Sequence, residues 1–202
     1  MKSAMTIALV TLLSAALAGC TSFGAQPPQR YYVLEVPASK DVAGRTPRAA
    51  TLLVAPTTVS SFYETQDIVY SSAPGTRAYY QLNAWTERPG PRITELLVTR
   101  LDRAGSFGNV ASVISGVRGD VVLDTHLTEF YHDAMSAPGS VRVGITAELL
   151  DPATRKLLAR RNFARVEPAA TYDAPGAVQA FNRALGGVLD EIAAWVESSA
   201  NR

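Results

Sequence analysis

Apolar residues run almost unbroken from Ala4 to Ala18, interrupted only by Thr6, Thr11 and Ser14, with Lys2 in front. A run of about fifteen is short of the roughly 20 residues that cross a bilayer as a helix, so residues 1–19 read as a signal peptide. The next stretch, TSFGAQPPQR (21–30), is small, polar and Pro-containing, which suits a tether. From residue 31 the pattern turns to strands. YYVLEV (31–36) is closed by Pro37, and TLLVAP (51–56) carries a continuous apolar run of the kind found in a buried strand. DIVYSS (67–72) and AYYQL (78–82) flank APGTR, whose Pro-Gly pair is turn chemistry, so they predict a hairpin that brings Tyr70 next to Tyr79 and Tyr80.

The period then changes to that of a helix. GPRITELLVTRLDRAG (90–105) places Pro91 in a first turn, aligns Ile93, Leu96, Leu97 and Leu101, and ends on Gly105 as a C-terminal cap. After the short NVASVI (109–114), alternation returns. In DVVLDTHLTEFY (120–131), Val121, Leu123, Leu127 and Tyr131 are expected on one side, with Asp124, His126 and Thr128 on the other. SVRVGITAELL (140–150) puts Val141, Val143, Ile145, Ala147 and Leu149 opposite Arg142, Thr146 and Glu148. A turn at DPATRK (151–156) leads into LLARRNFARV (157–166), and three successive long strands predict an antiparallel meander. The chain ends in a second helix, about 176–199, with Val178, Phe181, Leu185, Val188, Leu189, Ile192, Trp195 and Val196 on one stripe. Both helices are expected to pack on the sheet. Residues 31–202 have the length of one domain.

Charge narrows the function. The chain has 19 Lys and Arg against 18 Asp and Glu, with no basic cluster, so nucleic acid has no electrostatic support as a partner. Catalytic chemistry is thinly represented. Of the two His, His126 lies mid-strand on the wet side between Asp124 and Thr128, and His132 stands with Asp133 at a strand end. There is no Gly-x-Ser-x-Gly elbow, and GVRGD and PGPR lack the spacing of a phosphate loop. Two His and one Cys offer little to zinc. The expectation is a protein that is not an enzyme, with no cofactor, no metal and no catalytic residues.

Aromatic residues crowd the first third: Tyr31, Tyr32, Phe62, Tyr63, Tyr70, Tyr79, Tyr80 and Trp85. Strand packing accounts for most of them. Phe62 and Tyr63 fall in a loop between strands, and aromatic residues concentrate at binding hot spots, so this pair is the candidate partner contact.

The single cysteine stands at the end of the apolar run, in Leu17-Ala18-Gly19-Cys20. This resembles the lipobox of bacterial lipoproteins, in which cleavage before the Cys leaves its thiol carrying a diacylglycerol. Cys20 is therefore the expected lipidation site, at the head of a short lipidated tether (20–30). By the same resemblance Thr21, in place of an Asp, favours sorting to the outer membrane, with the domain in the periplasm. A mature chain without another Cys forms no internal disulfide.

The order of motifs carries a wider resemblance. The lipobox is followed by YYVL (31–34), VAPTTVSSFYETQDIVY (54–70), NAWTERPGPRITELLVTRL (83–101), and LDTHLTEFYHD (123–133) leading to VRVGITAELLDPATRKLLARRNF (141–163). This order is similar to that of the ABC-type transport auxiliary lipoprotein family, the PqiC-like lipoproteins, with Tyr31, Tyr32 and Trp85 at family positions. The chain departs from the family at SSFYETQD (60–67), so Phe62 and Tyr63 are read from their own context. The resemblance implies a three-layer α/β/α sandwich around a mixed sheet. It also implies a lipoprotein that works with an MCE-domain protein and an ABC-type permease and ATPase to move lipids or other hydrophobic molecules between the two membranes. A homo-oligomeric ring comes from the resemblance alone. Two other classes compete: a periplasmic carrier that encloses an acyl chain itself, and a hydrolase, which the scarcity of His and of a nucleophile motif weakens.

Overall fold

The computed structural model describes residues 27–37 and 47–199. The expected signal peptide, the expected lipidation site Cys20 and most of the expected tether lie outside the described residues. The elements run β1 (Arg30–Tyr32), β2 (Arg48–Val54), β3 (Thr58–Val59), a 3-10 turn (Ser61–Tyr63), β4 (Asp67–Ser71), β5 (Ala78–Trp85), α1 (Pro89–Ala104), β6 (Phe107–Ser112), a second 3-10 turn (Val113–Ser115), β7 (Val121–Asp133), β8 (Ser140–Leu150), β9 (Leu157–Pro168) and α2 (Ala174–Ser199).

Strand β7 is the spine of a mixed sheet. On one side it pairs antiparallel with β8, which pairs antiparallel with β9, and these form the expected meander. On its other side three short strands follow one another along its length, all parallel to it: β2 at Val121–Leu123, β3 at His126 and Leu127, and β4 at His132 and Asp133. Beyond this column the sheet forks. Strand β6 continues outside β2, while β5 and then β1 continue outside β4. Pro56 lies between β2 and β3, where a residue without an N–H cannot extend a ladder.

The two helices cover one face of this sheet and touch each other. Ile93, Leu97 and Leu101 of α1, and Val178, Phe181, Leu185, Val188, Leu189, Ile192, Trp195 and Val196 of α2, are buried in one cluster with Leu123, Leu127, Val143 and Ile145. Gly105, at φ 64°, closes α1 in the left-handed conformation a C-terminal glycine favours. Asp173 caps α2 by accepting the Gly176 N–H at 2.9 Å, so the helix begins ahead of the expected Gly176. Buried Arg100 of α1 pairs with Asp190 of α2 and donates to the Pro37 carbonyl at 2.6 Å. Arg92 donates to the Leu34 carbonyl at 3.0 Å, so the chain after β1 is fastened to α1 at two points. The α/β sandwich is thus a mixed sheet with its two main helices side by side on one face. On the other face Arg77, reached by Tyr63 of the turn Ser61–Tyr63, closes upon Tyr131.

One expected face assignment is corrected. Tyr131 does not share the side of Leu123 and Leu127, because β7 carries a bulge. Leu127 pairs with Ile145 but Glu129 pairs with Gly144, leaving Thr128 as an extra residue. Side chains alternate with period 2, so one inserted residue exchanges the faces of all that follow. Phe130 and His132 turn into the core and Tyr131 turns out. Gly144 permits this, since a Cβ there would come within 2.8 Å of the Thr128 hydroxyl.

Candidate functional site

The turn Ser61–Tyr63 projects from the column of short strands between β3 and β4, and its two aromatic residues take different positions. Phe62 is 38% exposed and stacks on Tyr79 of β5, ring centroids 4.8 Å apart and planes within 10°. The Tyr79 hydroxyl donates to the Phe62 carbonyl at 3.3 Å, which holds the turn to the hairpin. Tyr63, only 6% exposed, points inward. Its hydroxyl accepts from Arg77 Nε at 3.2 Å, and the Arg77 guanidinium lies 3.6 Å from the centre of the Tyr131 ring. A cation over an aromatic face is attracted by the ring quadrupole. Of the two sequence candidates, Phe62 with Tyr79 offers contact surface, and Tyr63 with Arg77 and Tyr131 braces it from beneath. Tyr70 and Tyr80, at 4.8 Å, are brought together by the hairpin as expected.

Beside the turn lies a cleft of about 920 Å³, formed where the sheet forks and α1 passes the outer edge of β3. Pro56 and Val59 line one wall, Pro91, Thr94 and Val98 of α1 the other, and Ile114 one end. At the other end Glu64, next to Tyr63 in sequence, faces Arg88 at 3.7 Å. The wall is set by Gly90: a Cβ there would meet Val59 Cγ2 at 2.6 Å and the Thr57 carbonyl at 3.1 Å, so only glycine lets α1 approach β3 this closely. Thr94 accepts from the Thr57 N–H at 2.8 Å and donates to the Thr57 hydroxyl, which in turn contacts Thr125 at 2.9 Å. These buried hydroxyls satisfy one another and leave the cleft lined mainly by apolar surface.

The histidines occupy opposite environments. His126 stays on the open sheet face, its Nδ1 2.9 Å from the Thr58 hydroxyl, among Asp124, Thr146, Glu148 and Arg160. His132 is fully buried. Its Nε2 donates to the Pro138 carbonyl at 3.0 Å, and in the neutral ring its Nδ1 accepts from the Tyr80 hydroxyl at 2.7 Å. Burial accordingly lowers the His132 pKa and pushes that of Tyr80 up to about 12. His132 holds the β7–β8 loop in place, a role its neighbours in sequence do not disclose. Among the described residues no three His, Cys, Asp or Glu gather as metal ligands, and no helix is long and apolar enough to cross a membrane.

Comparison with known proteins assigns the chain to a family. The model of the ABC-type transport auxiliary lipoprotein component matches residues 32–193, and the chain belongs to that family. Among solved structures, protein XCC0632 from Xanthomonas campestris, of family DUF330, superposes with a TM-score of 0.77 at 21% identity, over 85% of this chain and 97% of that one. An uncharacterized protein superposes with a TM-score of 0.64 at 18% identity, over 86% and 99%. At these identities the likeness is one of fold. No curated protein matches the sequence.

Proposed function

We propose that this member of the ABC-type transport auxiliary lipoprotein family is held by a lipid on Cys20 at the outer membrane. There it receives a periplasm-spanning assembly built around an MCE-domain protein and driven by an ABC-type permease and ATPase. A hydrophobic cargo crossing the periplasm must be shielded from water at roughly 25 cal/mol per Å² of apolar surface, which favours an enclosed path docked at both membranes over free diffusion. The observation that carries the reading is the braced aromatic turn. Phe62 lies exposed on Tyr79, supported by buried Tyr63, and Glu64, the residue after the turn, borders an apolar cleft of about 920 Å³. Rigid aromatic anchors beside a pocket are the usual composition of a binding hot spot. Several copies arranged as a ring would present several such turns to one assembly.

The test is a crosslinked pull-down of the full-length protein from its native membranes, with recovered proteins and lipids identified by mass spectrometry. Recovery of an MCE-domain protein, reduced by Phe62→Ala, supports the docking role. Recovery of lipid without such a partner, unaffected by Phe62→Ala, refutes it in favour of a carrier that holds an acyl chain itself.

A further inference from the structure

We propose that the β1–β5 edge of the domain seats against the bilayer that holds its own anchor, with Leu82 and Tyr31 entering the boundary between headgroups and acyl chains. The inference rests on lipidation of Cys20. Strand β5 does not run straight beside β4: Tyr79 pairs with Val69 and Ala84 with Asp67, so residues 80–83 arch out opposite Ile68. Leu82 sits on this arch at φ 58°, in the left-handed region that an L-residue with a branched side chain disfavours. Yet Leu82 is 41% exposed, so burial in the domain offsets the strain only in part. Strain of this kind, held where packing rewards it only in part, points to an outside contact.

The arch lies where the tether joins the fold. Pro27 and Gln29 border the same shallow depression as Gln81 and Leu82, and β1 pairs with β5 through Arg30 to Asn83 and Tyr31 to Ala84. Tyr31, 59% exposed, and Val33 extend the apolar surface along the edge. Tyrosine, apolar in body and polar at its tip, suits a membrane interface, and exposed Arg30 supplies a cation for lipid phosphates.

Chain length selects the bilayer as the occupant. The seven residue steps from Cys20 to Pro27 span at most about 25 Å even when fully extended. In every pose Pro27, which borders the arch, therefore stays within that distance of the membrane. Leu158, exposed on the opposite edge strand β9, lies five strand spacings from β1 and four from β5 and some seven residues further along the strands, on the order of 30 Å. The outer sheet face between these edges carries Asp124, Glu148 and Arg160, which resist contact with hydrocarbon.

The sequence holds one cysteine, whose thiol the lipid occupies, so an introduced cysteine can be labelled selectively. Full-length lipoprotein carrying Leu82→Cys, Tyr31→Cys or Leu158→Cys is labelled with a nitroxide, incorporated into phosphatidylethanolamine–phosphatidylglycerol vesicles, and read for accessibility to oxygen and to a water-soluble nickel chelate. The expected result is an oxygen-to-nickel ratio several-fold higher at 82 and 31 than at 158. The position at 31 guards against disturbance of the arch by the substitution at 82. Equal, water-like ratios at all three positions overturn the inference. Labels at 82 and 31 shielded from both reagents indicate a second copy of the chain there and also overturn it. Failure of the protein to float with the vesicles overturns the anchor, and this inference with it.

Discussion

Replacing Phe181 with alanine removes the ring on which three elements converge. Phe181 of α2 is fully buried, with its centroid 4.4 Å from that of Phe130 on β7 and 5.4 Å from that of Trp85 on β5. Truncation forfeits the transfer free energy of the ring and leaves a cavity whose walls belong to a helix and two strands, which cannot all move inward together. Buried Phe→Ala changes cost about 3–5 kcal/mol, and the two ring contacts place this site toward the upper end. For a domain of this size, where 1 kcal/mol shifts Tm by about 2–4 °C, the midpoint should fall by roughly 10 °C or more. Equilibrium denaturation in guanidinium, followed by far-UV circular dichroism and by tryptophan fluorescence, measures the loss, since Trp85 reports from the cavity wall. Phe181→Leu, which retains much of the volume, should lose less than half as much. A loss below about 1.5 kcal/mol for Phe181→Ala, with an unchanged denaturant slope, would refute the argument that the two helices and the forked sheet share one core at this point.

The aromatic turn separates surface from support. Phe62→Ala should leave stability within about 1 kcal/mol and weaken partner capture, whereas Tyr63→Ala should lose about 3 kcal/mol by stripping the brace beneath Arg77; equal melting temperatures for the two variants would contradict the division. Stability should depend on pH through His132. Its folded pKa lies below its unfolded value near 6.5, so the unfolded chain binds the extra proton first, and stability present above about pH 6.5 is lost as pH falls toward the folded pKa. His132→Gln should flatten that part of a urea-midpoint profile against pH, and an unchanged slope would show that another group titrates there. At the alkaline end Tyr80, with its folded pKa raised to about 12, contributes stability that is lost as pH rises from 10 through that value. Cys20→Ala should abolish incorporation of labelled fatty acid, and a variant that still incorporates it would remove the anchor from the proposed function.

Local pattern is enough to predict both helices and the meander. The stripe of α2, from Val178 to Val196, is buried residue for residue, Gly105 ends α1, and β8 spans residues 140–150 as its alternation predicts. These features rest on periods of 3.6 and 2 and on cap chemistry, which neighbours in sequence specify by themselves. The order of motifs was likewise sufficient to identify the family. The environments of individual side chains were decided by pairings between distant segments. Phe62 and Tyr63 are adjacent in sequence and alike in chemistry. Only the hairpin that carries Arg77 and Tyr79, and the bulge that turns Tyr131 outward, make one of them surface and the other support. His132 reads as a polar residue before a turn, yet the same one-residue bulge carries it into the core to meet Tyr80. The cleft exists because β2, β3 and β4 share one edge of β7 while their outer neighbours diverge, an arrangement with no local signature. Periodicity determines which residues seek burial; which surfaces remain open is fixed only when strands far apart in the chain choose their partners and register.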